Sequence, residues 1–254
     1  AHHLRHYTAH NSVLTFAGAI DPERCSQAAA RFLAAMPTGP KVPIGGASSG
    51  QRRPRFRYVE NQNSQTELRL AFRAPGEHDP QEPAAELLVR LLDDGMSTRL
   101  YARVCDQLGL CYDVSSEYET FEDDGVFDLG ATVQHARAPQ VMGELVHVVQ
   151  EIANHGPTAA EMDKAKARHR WETFALLDQA DGLADYYGLS TMMGKPSDPC
   201  ERDRQISAVT AEQVQAVARK IFQPNLLSAV AVGMLEPPEK KAVEQIVREF
   251  RLLG

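Results

Sequence analysis

Cysteine is scarce in this sequence, and its scarcity excludes one class of protein. Only four of the 254 residues are cysteines, and none of them forms a CxxC pair. Small domains that rely on disulfides instead of a large core are much denser in cysteine. The chain is therefore not a disulfide scaffold. Cys105 and Cys111 are interpreted as buried thiols that act as small hydrophobes, with a redox role as the alternative.

Long apolar runs and an excess of positive charge are also missing. No run approaches the roughly 18 apolar residues of a membrane-spanning helix. The formal net charge is −7, which argues against a protein that coats nucleic acid. The basic stretch at 52–58 is read as a solvated linker end and not as an RNA contact. We expect a soluble protein of the cytoplasm or periplasm, with no nucleic-acid partner and no membrane span.

The usual catalytic signatures are absent as well. Neither HExxH nor HxxEH occurs, and no GxSxG turn or phosphate-binding loop is found. His169 begins an HxxE stretch, but Thr173 stands where the second histidine must be. His2, His6 and His10 lie four residues apart, so on a helix they would share one face and could hold zinc. A His-rich solvated chain end is the preferred interpretation, and we expect no metal bound by this chain.

Hydrophobic periodicity and turn residues divide the chain into helices and strands. Five strands are predicted, at 12–20, 67–73, 112–118, 126–134 and 226–232. Helices are predicted at 22–36, 84–92, 97–108, 141–152, 159–193, 210–222 and 238–251. A Pro/Gly/Ser-rich linker covers 37–54. Gly18–Pro22 and Gly233–Pro237 close the first and last strands in the same way, which suggests a duplicated unit.

One stretch is more specific than any of these features. It reads GMSTRLY at 95–101 and continues as LGLCYDVSS at 108–116. It resembles the hallmark of the pitrilysin/insulinase family of zinc peptidases, which includes the mitochondrial processing peptidases. A second set of similar residues opens the chain: Tyr7, Asn11, Val13, Leu14 and Gly18. The stretch 225–233 resembles that family's final strand, so the resemblance spans about 1–235.

The resemblance implies an α+β fold, in which an antiparallel sheet has helices packed on one face. Such half-domains occur in pairs, and two lobes close over a peptide. Residues 1–36 would be the strand-helix tail of a first half-domain and 37–59 a linker. Residues 60–254 would form a complete second half-domain. The chain begins with Ala1, and we expect a processed product or a fragment that starts after the HxxEH half.

The resemblance also implies one substrate contact. In the family an Arg and a Tyr, seven residues apart, hold the substrate carbonyl group. Tyr112 matches the Tyr and is the candidate substrate-binding residue, whereas Cys105 stands at the Arg position. The nearest arginine, Arg103, lies two residues too early. Since a thiol cannot replace a forked cationic donor, the chain departs from the family pattern here. No catalytic residue is expected in this chain.

The resulting expectation is a C-terminal part, or a partner subunit, of a zinc metalloendopeptidase. It would wall the peptide chamber, and zinc would belong to the complete enzyme. Its partners would be a peptide substrate and a lobe or subunit that carries HxxEH, in a homo- or heterodimer. Two alternatives remain open. One is an inactive scaffold subunit related to processing-peptidase core proteins, and the other is an independent hydrolase that uses the His-rich end.

Overall fold

The computed structural model describes residues 2–40, 46–47 and 50–252. Residues 41–45 and 48–49 of the predicted linker lie outside the described residues, as do Ala1 and residues 253–254. The strands are β1 (Arg55–Glu60), β2 (Thr66–Ala74), β3 (Val114–Thr120), β4 (Gly125–Val133) and β5 (Leu227–Gly233). They form one sheet in the order β1-β5-β2-β4-β3, antiparallel except where β1 runs parallel to β5.

The helices match most of the predicted ones. They are α1 (His2–His6), α2 (Pro22–Phe32), α3 (Glu82–Leu92), α4 (Ala138–His155), α5 (Ala159–Leu177), α6 (Ala180–Met192), α7 (Pro199–Ala208), α8 (Ala211–Ile221) and α9 (Pro237–Arg248). Thr210 and Gln213 form the capping box expected at the start of α8. Tyr101–Gln107 is a π-helix, inside the region predicted as an ordinary helix.

Side-chain alternation gives the sheet one apolar and one polar face. In β2 the side chains of Leu68, Leu70 and Phe72 are buried, and this strand packs against helices α4 and α8. The opposite face carries charges, among them Arg69, which pairs with Asp128 of β4 at 2.9 Å. This arrangement, an antiparallel sheet with helices on one face, is the predicted fold class.

The chain divides into two compact units. The sheet unit comprises Ser48–Arg168 and Gln205–Gly254, and the small unit comprises Ala1–Ala47 and His169–Arg204. Sheet pairing begins at Arg55, inside the segment that the sequence assigns to the linker. The division into tail, linker and second half-domain stays a prediction.

The small unit corrects one prediction. Residues 12–20 form no strand, although their apolar run has strand length. A strand needs a hydrogen-bonded neighbour, and no strand lies within the described residues of the small unit. The segment is instead held by its side chains, as where the Thr15 hydroxyl donates to the Ala184 carbonyl at 2.8 Å.

Burial differs sharply between the two units. Every aliphatic and aromatic side chain of the buried core belongs to the sheet unit. In the described part of the small unit no Val, Leu, Ile, Met, Phe, Tyr or Trp is buried. The exposed apolar side chains there include Leu4, Leu14, Phe16, Phe32, Trp171, Phe174, Leu189 and Met192. No helix of the described chain has the length and apolar character to cross a membrane.

Candidate functional site

The GMSTRLY stretch forms the turn that leads from α3 into the π-helix. Gly95 has a φ of +103°, a conformation that side-chain-bearing residues rarely adopt. The Thr98 hydroxyl donates back to the Gly95 carbonyl at 2.6 Å and closes the turn. The turn thereby directs the Arg99 side chain away from solvent, and this side chain is only 20% exposed.

Arg99 joins this turn to the end of α4 and the start of α5. Its guanidinium donates to both carboxylate oxygens of Glu161, at 2.6 and 2.8 Å, and to the Gly156 carbonyl at 2.9 Å. Partial burial raises the pKa of Glu161. Hydrogen bonds from Arg99 and Thr158 outweigh that effect and lower this pKa to about 2. The arginine of the motif is therefore a structural clamp.

Two aspartates, Asp93 and Asp94, directly precede the GMSTRLY stretch, and both have structural partners. The Asp93 carboxylate accepts a hydrogen bond from the backbone N–H of Ser116, at the start of β3, at 2.8 Å. Partial burial raises the pKa of Asp93 in spite of that bond. Asp94 pairs with Arg168 at 2.7 Å and with Arg90 at 3.4 Å. These carboxylates fix β3 and α5 against the end of α3.

The π-helix carries Cys105 at the position of the family's arginine. Its thiol packs against the core, and burial, together with neighbouring Cys111, raises its pKa to about 12. The thiol is therefore neutral at physiological pH. Arg103 does not substitute for the missing cation, because its Nε donates to the Glu144 carboxylate at 2.8 Å.

The loop 108–113 carries Tyr112, the predicted substrate-binding residue. Gly109 turns the chain at a φ of +56°, and the Leu110 N–H donates to the Val104 carbonyl at 3.0 Å. Arg137 holds the same loop, since its guanidinium donates to the Gly109 carbonyl at 2.6 Å. Sequence reasoning missed Arg137, and no local pattern points to it.

Tyr112 is 95% exposed and lies just before β3. The strand predicted at 112–118 begins two residues too early, because β3 begins at Val114. Val114 and Ser116 are buried, and Tyr118 packs against the core. The structure thus places Tyr112 next to Cys111 on an exposed loop, and it brings Arg103 into a separate ion pair.

The histidines at the chain start do not assemble as a three-ligand face. His2 and His6 stack their rings 4.3 Å apart, whereas His10 forms a hydrogen bond with the Gly39 carbonyl. Across residues 2–40, 46–47 and 50–252 no group of three His, Cys, Asp or Glu side chains could hold a metal ion. His169 is buried beside Asp203, with 3.2 Å between its Nδ1 and the carboxylate. The donor set that zinc needs is therefore not provided by the described residues.

Comparisons with known proteins agree with this arrangement. Residues 1–168 match the model of the peptidase M16 inactive domain. An "uncharacterized zinc protease" of Mycobacterium tuberculosis is 30% identical over 232 residues, which cover 90% of this chain and 53% of that protein. One from Bacillus subtilis is 23% identical and matches 70% of this chain. The chain spans about half the length of the curated relatives it matches.

Solved structures have the same fold. A peptidase M16 inactive domain from Pseudomonas fluorescens superposes with a TM-score of 0.76 at 25% identity, over 86% of this chain and 53% of that one. A protease from Helicobacter pylori, at 17% identity, has a TM-score of 0.76 over 85% of this chain and 54% of its own. With two thirds of its length matched to one family, this chain belongs to the peptidase M16 inactive-domain family.

Proposed function

We propose that this chain is the non-zinc-binding half of a metalloendopeptidase, and that it walls a peptide chamber completed by an HxxEH-bearing half. Tyr112 is the observation that carries the proposal. A phenol that is 95% exposed stabilises the fold little, yet it can donate a hydrogen bond to a substrate carbonyl oxygen. It lies on the loop where the family resemblance places a substrate contact.

The polar face of the sheet supports a chamber wall. Helices pack on the opposite face of the sheet. On the polar face, Arg69 forms ion pairs with Glu67 and Asp128. Gly130 leaves room for the Arg69 side chain on that surface, because a Cβ there would lie 2.9 Å from the Arg69 Nε. A polar sheet face is suited to an extended peptide that it does not bury permanently.

The small unit supports a requirement for a second half. Trp171 is 71% exposed, Phe32 74% and Leu4 78%, and the described residues of this unit contain no buried Val, Leu, Ile, Met, Phe, Tyr or Trp side chain. Exposed apolar groups in such number mark a surface that another protein part covers. We therefore assign the small unit to contacts with the zinc-binding half, which supplies the metal chemistry.

Reconstitution tests this proposal. The chain is mixed with the HxxEH-bearing half encoded upstream of it or in the adjacent gene. Complex formation is followed by gel filtration and hydrolysis by release of a fluorophore from unstructured peptides. We expect a stoichiometric complex, with cleavage that neither component shows alone. Full cleavage by the zinc-binding half without this chain would contradict the proposal.

Two matched substitutions locate the contact. Trp171→Glu places a charge on the small unit, and we expect it to weaken association by at least about tenfold, as for a central interface tryptophan. Met96→Glu makes the same change at a residue of the sheet unit that is 74% exposed, and association should be unchanged. If the two variants weaken association equally, the small unit is not the part that contacts the zinc-binding half.

A second candidate, an inactive scaffold subunit, is favoured by one observation. The position of the family's arginine holds the neutral, partly buried Cys105, and Arg103 is occupied by Glu144. A scaffold would still bind the partner half but would not accelerate peptide hydrolysis. The two functions are separated by the cleavage rate of the reconstituted complex relative to the zinc-binding half alone.

A further inference from the structure

Cys105 and Cys111 lie side by side although they are six positions apart in sequence. Their sulfur atoms are 3.8 Å apart. Two backbone hydrogen bonds fold the segment back on itself, from Gly109 N–H to the Cys105 carbonyl at 3.2 Å and from Leu110 N–H to the Val104 carbonyl at 3.0 Å. To form a disulfide, the two sulfur atoms need to move closer together by less than about 2 Å.

The surroundings of the pair favour uncharged forms of sulfur. Both thiols are partly buried and pack against the core. Burial raises the pKa of both and outweighs the hydrogen bonds from Cys105 and the Asp113 backbone, which lower the pKa of Cys111. A neutral thiol is a weak nucleophile and a poor metal ligand. A disulfide carries no charge, so burial and the nearby carboxylates do not oppose it.

We propose that Cys105 and Cys111 form a reversible intramolecular disulfide, for which a peroxide is the oxidant and a dithiol the reductant. The thiolate of one cysteine attacks a peroxide oxygen and becomes a sulfenic acid, while the O–O bond breaks and one water leaves. The second thiol attacks that sulfur and releases another water. Two thiols and one hydrogen peroxide thus give one disulfide and two waters.

The disulfide ties the π-helix to the loop that carries Tyr112. Without it the loop is held by Arg137 and by backbone hydrogen bonds, and Gly109 gives it conformational freedom. A covalent link at Cys111 fixes the residue next to Tyr112. Oxidation then changes how Tyr112 contacts a peptide, and this consequence alone rests on the proposed function.

Peptide mapping tests the disulfide without any assay of hydrolysis. A Cys25→Ser/Cys200→Ser variant retains only the pair. It is treated with hydrogen peroxide without denaturant, alkylated and cut by a protease that cleaves before aspartate. Because Asp106 lies between the two cysteines, peptides 94–105 and 106–112 separate unless a disulfide joins them. We expect one disulfide-linked product, whose mass is that of the two peptides together less two hydrogen atoms. Dithiothreitol should separate it into the two peptides.

The rate and a control variant complete the test. Since the attacking thiolate is a minor species, disulfide formation should accelerate about tenfold per pH unit between pH 7 and 8.5. Hydrogen exchange of amides 108–112 should slow on oxidation, and neither change should occur with Cys111→Ser added. Two alkylated thiols, a sulfinic acid, a covalent dimer or a link that forms only in urea would each overturn the proposal.

Discussion

Tyr112 and Tyr118 lie near the two ends of one short segment, but their hydroxyl groups have opposite surroundings. Tyr112 is 95% exposed ahead of β3. Within β3 the Tyr118 hydroxyl donates to the Pro75 carbonyl at 2.7 Å, and burial raises its pKa. The two residues are thus a matched pair in which removal of one oxygen atom tests function at one position and packing at the other.

Tyr112→Phe should change the free energy of unfolding by less than about 0.5 kcal/mol, as expected for a surface substitution. Tyr118→Phe leaves the Pro75 carbonyl without its donor and should cost about 1 kcal/mol. In the assembled enzyme, Tyr112→Phe should lower turnover by about tenfold to a thousandfold, and Tyr118→Phe should leave it unchanged. Urea unfolding and peptide hydrolysis measure the four values. A stability loss at Tyr112 with unchanged turnover would make it a packing residue.

Glu161→Gln should destabilise the sheet unit, most strongly near neutral pH. The pKa of Glu161 is lowered to about 2 in the folded chain, so the ionised carboxylate is favoured by folding. Its contribution is present above about pH 4.5, the pKa of an unperturbed glutamate, and is lost as the pH falls towards 2. At pH 7 we expect a loss of about 1–3 kcal/mol for the charged hydrogen bonds to Arg99.

Urea titrations of the Glu161→Gln variant at pH 7 and pH 3 measure this dependence. The difference from the unmodified chain should shrink at the lower pH. Glu122→Gln in the exposed β3–β4 turn is the control, and it should show no such dependence. A constant difference for Glu161→Gln would contradict the clamp.

Two glycine substitutions should act in opposite directions. A Cβ at Gly125 would overlap the Pro75 carbonyl oxygen, so Gly125→Ala should destabilise by about 1–3 kcal/mol. At Gly143 on α4 nothing lies within 4 Å of the added Cβ. There Gly143→Ala should stabilise by about 0.5–1 kcal/mol through helix propensity. Thermal melting checks both, and a stabilising Gly125→Ala would be inconsistent with the β2–β4 register.

The isolated chain should retain no stoichiometric zinc after dialysis at neutral pH. His2, His6 and His10 are its best-spaced ligands, but His10 is turned to the Gly39 carbonyl. Elemental analysis gives the metal content. One tightly held zinc that disappears when all three histidines are changed to alanine would contradict the assignment of zinc to the partner half and would favour the independent hydrolase.

The sequence was sufficient for most of the sheet unit, where its signals are local, but it missed β1, which falls in the predicted linker. Leu68, Leu70 and Phe72 lie at alternate positions, and the hydrophobic period agrees with the burial of β2. Thr210 with Gln213 specifies the start of a helix, and the capping agrees with the start of α8. Segment 12–20 has an equally apolar pattern and forms no strand. Whether such a segment forms a strand depends on a neighbouring strand with which it can pair, and not on its own residues alone.

The candidate site was only partly predictable for a similar reason. Tyr112 and Cys105 were found through motif spacing, and the structure adds their exposure and burial. The roles of Arg99, Arg103 and Arg137 could not be read, because each is decided by a carboxylate or carbonyl distant in sequence. Nor could spacing alone show that Cys105 meets Cys111.

The exposed apolar side chains of the small unit have a consequence for its thermodynamics. Apolar burial is the main favourable term in folding, and the described residues of this unit have little of it. Its stability is then a matter of mass action, and it should rise with the concentration of whatever covers that surface. Amide hydrogens of α2 and α6 should exchange with solvent faster than those of α4 or β2. A single melting temperature recorded for the chain alone would describe the sheet unit only.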